Sequence, residues 1–178
     1  MDLILWRHAD ALPGSPDLER PLSRAGYRQA HGMAAWLRRV LPDETRILVS
    51  PALRALQTVT ALGRAYEVVQ ALAPGAQASR LLQVAGWPGA AGAVLIVGHQ
   101  PTLGAACGRL LCGGEQGLTL RKGGVIWLAR RMREGGAQVV LKALMTPELL
   151  PAEVQPTGPE PTRCPAVPPR SGPGGGPR

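Results

Sequence analysis

Arg7-His8, Ser50-Pro51-Ala52-Leu53-Arg54 and Gly98-His99 each stand directly after a short apolar run, at residues 3–6, 47–49 and 94–97. Runs of that length followed by a turn read as buried strands. In open α/β sheets, ligands bind beyond the carboxyl ends of the strands. Two arginines and two histidines would therefore meet at one sheet edge. Such a group suits a dianionic phosphate, because guanidinium presents a planar fork of donors and helix N-termini add oriented N–H groups. Phosphoryl transfer needs in-line positioning and neutralisation of the charge on three equatorial oxygens. Two guanidiniums and an imidazolium supply this without a metal. A neutral imidazole is also a nucleophile, and neighbouring arginines disfavour its protonation.

The elements that must hold these residues are legible in part. Ser23 is placed to cap a helix on which Tyr27, Ala30, Ala34, Leu37 and Leu41 share a face. Ser50 and Pro51 offer a cap and a first-turn proline for a second helix to about residue 66. A third helix is expected over 101–111, burying Leu103, Cys107, Leu110 and Leu111. The pairs Gly123-Gly124 and Gly135-Gly136 punctuate two more strands, 125–129 and 138–144. The sum is an α/β protein, a three-layer sandwich with a mainly parallel sheet flanked by helices. The folded domain is expected over 1–150. Residues 151–178 hold nine Pro and five Gly and read as a disordered tail.

Composition excludes several classes. With 178 residues and 45% hydrophobic content the chain is not a disordered one, and its longest nearly unbroken apolar stretch, 89–98, is half of what a membrane span needs. The first residues lack a basic segment followed by a long apolar one, so a cytoplasmic protein is expected. Cys107, Cys112 and Cys164 form an odd set without a C-x-x-C pair, expected to be reduced and to bind no metal. The net charge of +8 comes from 18 Arg and 2 Lys spread along the chain, with only 3% aromatic residues, which disfavours nucleic acid as partner.

Four motifs together resemble the histidine phosphatase superfamily, with its phosphoglycerate mutase-like fold. L-W-R-H-A-D at 5–10 is similar to the nucleophile motif and R-P-L-S-R-A-G-Y-R-Q-A at 20–30 to the loop and helix after it. S-P-A-L-R-A-L-Q-T at 50–58 resembles the second arginine motif, and V-G-H-Q-P at 97–101 the second histidine. Met145-Thr146-Pro147 and a folded unit near 150 residues look like the short SixA-type phosphohistidine phosphatases. The resemblance implies His8 as nucleophile, Arg7, Arg54 and His99 as holders of the phosphoryl oxygens, a phosphohistidine enzyme intermediate hydrolysed by water, and no cofactor.

Departures from the family pattern bear on the substrate. Ala9 stands where Gly usually follows Arg-His, so a shifted turn is expected there. Residues 68–114 contain no Asp or Glu, although mutases and many phosphomonoesterases of the family place a proton-donating Glu in that interval; Gln100 stands where acid phosphatases often carry Asp. Losing a general acid costs ~10²–10⁴-fold for an alkoxide leaving group. A phosphohistidine can leave as neutral imidazole, so the missing acid points to a phosphorylated protein, such as a histidine-phosphotransfer domain. Asp10, Asp17 and Glu19, in the loop after His8, remain candidate donors for a small phosphate ester. The Ala- and Gly-rich connection 72–92 is short, which leaves the site open.

Other residues have blander readings. Thr58 is expected to pack its helix, and Arg20 either reaches the phosphate rim or anchors its own loop. His31 reads as a boundary residue, Trp36, Trp127 and Trp87 as core, and 130–133 as a solvated turn between strands. A non-catalytic phosphate- or nucleic-acid-binding module is the rival from another class, and no oligomeric state is implied.

Overall fold

The computed structural model describes residues 1–114 and 116–151; the expected tail and Cys164 lie outside them. Strand β1 (Asp2–Arg7) is followed by α1 (Arg24–Val40), β2 (Arg46–Val49), α2 (Leu53–Thr60), β3 (Glu67–Val68), α3 (Ala78–Ala85), β4 (Ala93–Gly98), α4 (Thr102–Cys112), β5 (Val125–Arg133) and β6 (Gly136–Met145). They form one sheet in the order β3-β2-β4-β1-β5-β6. The first four strands are mutually parallel; β5 runs antiparallel to β1 and β6 antiparallel to β5.

Alternation along the strands builds two cores, because successive side chains point to opposite faces. Ile4, Trp6, Ile47, Val49, Leu95, Val97 and Trp127 face α1 and α2, meeting Met33, Leu37, Ala55 and Val59. Leu3, Leu5, Leu48, Val94, Ile96 and Leu128 face α3 and α4, meeting Leu81, Leu82, Leu103 and Cys107. The result is the expected three-layer sandwich. As both faces are covered, β1 and β4 are buried along nearly their whole length.

Ser23 caps α1 as its type suggested, accepting from the Gly26 N–H at 3.0 Å. Several boundaries differ from expectation. Helix α2 begins at Leu53 without a side-chain cap and ends at Thr60, well short of residue 66, with Gly63 at φ +69° in the turn beyond. The connection 72–92 is not bare loop: Leu72, Ala78, Leu81, Leu82 and Ala85 sit in the second core. Leu111 is exposed and Leu110 half-buried, because α4 turns its last residues away from the sheet. Residues 130–133 continue β5 and are not a turn; Arg130 N–H donates to the Met1 carbonyl, at the sheet end opposite His8. Trp127 is core, whereas Trp36 and Trp87 are half-buried at its margin.

Candidate functional site

The carboxyl ends of β1, β2 and β4 deliver Arg7-His8, Ser50 and His99 to one edge, and the first turn of α2 adds Arg54. Backbone bonds fix the register. His8 N–H donates to the Gly98 carbonyl and Ser50 N–H to that of Val97, both at 3.0 Å. A strap before β5 closes the other side: Gly123 N–H donates to the His8 carbonyl, Arg7 N–H to that of Gly124, and the Trp6 indole to that of Gly123. Arg7 then donates through a terminal nitrogen to the Leu120 carbonyl at 2.6 Å.

His8 and His99 are buried, with ring centroids 5.1 Å apart. The His8 Nδ1 lies 2.7 Å from the Ala9 carbonyl, and a carbonyl only accepts, so Nδ1 carries the proton and Nε2 keeps its lone pair. Burial, reinforced by Arg54, Arg7 and Lys122, holds the imidazole down at about 4, so it is neutral at pH 7. Ala9 meets no strain: among the described residues none other than glycine has positive φ, and its N–H donates to Thr58 Oγ1 at 3.0 Å. The backbone at Ala9 therefore needs no glycine.

His99 accepts at Nδ1 from Arg54, at 3.5 Å, and donates from Nε2 to Ser50 Oγ at 2.7 Å. Burial, with His8 and Arg54 beside it, lowers it to about 3. The imidazolium expected from sequence is thus a neutral imidazole in the free protein; the charge of a bound dianion is what would favour protonation at Nδ1. Arg54 is 4% exposed. Its Nε–H and that of Arg7 are buried and lack a partner among the described residues. Buried donors are rarely left so. At a site with two guanidiniums, they fit an oxyanion that accepts from both.

Two of the three carboxylates of the 9–22 loop, Asp10 and Asp17, are already engaged. Asp10 accepts from Lys122 Nζ and Ser23 Oγ, each at 2.5 Å, and these bonds hold its carboxyl below the usual carboxylate range. Asp17, in the 3₁₀ turn Asp17–Glu19, accepts at Oδ2 from Arg54 and at Oδ1 from Arg20, both at 2.9 Å, with the same downward effect. Glu19 is exposed on that turn. Arg20 also donates to the Leu12 carbonyl, so it braces its loop. Thr58 Oγ1 bridges α2 to the turn after His8, donating to the Arg54 carbonyl at 2.6 Å.

Ser50 and Lys122 escaped the sequence reading. Ser50, expected as a helix cap, instead orients His99; the one signal for Lys122 is that it is one of two lysines among twenty cations. Among the described residues no His/Cys/Asp/Glu group could hold a metal ion, and no helix is long and apolar enough to cross a membrane.

Residues 3–77 match the histidine phosphatase superfamily (branch 1). An uncharacterized protein of Picosynechococcus is 35% identical over 151 residues, covering 78% of this chain and 88% of its own. Phosphohistidine phosphatase SixA of Escherichia coli is 35% identical over 125 residues, 65% of this chain and 76% of its own. Among solved structures, the protein histidine phosphatase SixA complexed with tungstate superposes with a TM-score of 0.67 at 29% identity, covering 85% of this chain and all of that one.

Proposed function

Because the chain belongs to the histidine phosphatase superfamily, we propose that it removes phosphate from phosphohistidine on a signalling protein, without a metal, through phosphorylated His8. Nε2 of His8 attacks phosphorus and forms the new N–P bond while the substrate's P–N bond breaks. The bonding pair goes to the departing imidazole, which leaves neutral with its proton on the other ring nitrogen. Arg7, Arg54 and His99 hold the phosphoryl oxygens. Phosphorylated His8 keeps its Nδ1 proton on the Ala9 carbonyl, so it in turn leaves as neutral imidazole when water attacks, releasing inorganic phosphate.

The observation that carries the substrate class is the state of Asp10 and Asp17, the two candidate donors bonded at the site; Glu19 is exposed on the turn. Asp10 and Asp17 are both held ionised by cations. Neither stands protonated to meet an alkoxide, and a phosphoramidate needs no such acid. SixA of Escherichia coli, named for phosphohistidine, supports the same reading.

The test is a set of initial rates, without added metal, on a phosphohistidine-bearing phosphotransfer protein and on small phosphate esters, beside His8→Ala. Rapid His8-dependent loss of protein phosphohistidine with slow ester turnover is expected. Faster ester turnover would select the phosphomonoesterase or mutase reading. Phosphate binding without any turnover would select a binding module.

A further inference from the structure

The guanidinium assigned to substrate phosphate is not free in this structure, and the group that holds it is an anion from the same chain. Arg54 donates through one terminal nitrogen to the Asp17 backbone carbonyl at 2.6 Å and through the other to Asp17 Oδ2 at 2.9 Å. That second nitrogen is also the one 3.5 Å from His99 Nδ1, on the phosphate side of the guanidinium. The turn bearing Asp17 is held from behind: Leu12 N–H donates to the Pro21 carbonyl, Ala11 bridges Leu22, and Arg20 grips both Leu12 and Asp17. The loop therefore presents one carboxylate to the anion site from a fixed base. The Asp17 side chain is 53% exposed while that of Arg54 is 5% exposed, so there is room for Asp17 to swing outward and none for Arg54.

We propose that Asp17 is a built-in competitor of phosphate: its carboxylate occupies or repels from the Arg54 position, lowers affinity for free inorganic phosphate, and so speeds release of the product. A bound dianion and this carboxylate share one guanidinium, so each disfavours the other by Coulomb repulsion. A phosphorylated protein makes contacts beyond the phosphoryl group and can offset the repulsion; inorganic phosphate has only the phosphoryl contacts. Asp17 thereby becomes a determinant of substrate against product. The inference rests on Arg54 as a phosphate ligand, as proposed above.

The experiment is isothermal calorimetry of inorganic phosphate with the purified full chain, wild type, Asp17→Asn, Asp17→Ala and Arg54→Ala, with melting curves to verify folding. Asp17→Asn keeps an oxygen that can accept from Arg54 and removes only the charge. Expected is tighter phosphate binding in both Asp17 variants, by about two- to fivefold for removal of a half-exposed ion pair, with product inhibition of turnover strengthened by the same factor. Weaker binding in both variants would overturn the proposal and make Asp17 a residue that orients Arg54. Unchanged phosphate affinity with a lower kcat on esters of poor leaving groups would also overturn it, in favour of a proton donor. If wild type and Arg54→Ala bind phosphate equally, it is the assignment of Arg54 to phosphate that fails.

Discussion

A histidine that titrates in the neutral range would make a poor nucleophile at the lower end of that range; His8, lowered to about 4, does not have this weakness. After correction for ionisation of the substrate, kcat/KM is expected to stay level across neutral pH and to fall only as pH approaches about 4. Lys122→Gln removes one of the charges that disfavour protonation, so its acid limb moves to higher pH. The same shifts act on stability. His8 and His99 have folded-state values below their ordinary 6.5, so their contribution is complete above 6.5 and is lost as pH falls toward about 4 and about 3. Urea midpoints should decline across that window in the wild type, and less in a His8→Asn, His99→Asn double variant. Thr58→Val strands the buried Ala9 N–H, which costs about 1–3 kcal/mol of stability. It also frees the turn that holds the nucleophile, so kcat should fall along with the denaturation midpoint. Arg7, His8, Arg54 and His99 were legible because each follows an apolar run closely. Ser50 and Lys122 were not, because the groups they bond lie 49 and 112 residues away.

At the scale of elements, the close approach of α1 to the nucleophile loop decides the geometry. A Cβ on Gly26 would lie 1.9 Å from the Asp10 carbonyl oxygen, which is backbone and cannot swing aside. Gly26→Ala is therefore expected to destabilise by about 1–3 kcal/mol or more and to lower kcat by displacing the segment after His8. Gly117→Ala, with open space around it, is the control that should do neither. Melting curves and rates on both variants check this. Long periodic segments such as α1 were readable from sequence, and so were strands with clear alternation or apolar runs. The short ones were harder. Strand β3 has two residues and no pattern of its own. Helix α3 does carry Ala78, Leu81, Leu82 and Ala85 at helical spacing, but the Ala- and Gly-rich surroundings and lack of a side-chain cap hid it.

At the scale of the molecule, Leu150 closes the first core, 5% exposed beside residues of α1. We therefore expect a chain cut after residue 151 to keep the melting temperature and turnover of the whole. A chain cut after Met145 loses about 2 kcal/mol of apolar burial, a fall of about 4–8 °C in a calorimetric scan. Strand polarity has a practical consequence. Strand β1 starts at the far end of the sheet and runs about 20 Å to the edge that carries His8. Strand β6 runs the same way, so the chain returns to that edge, where Pro147 comes up against Gly123 next to Lys122. A bead, dye or fusion partner attached through Met1 would leave the His8 edge facing outward. The same cargo attached after residue 151 would stand beside the entrance and crowd any macromolecular substrate.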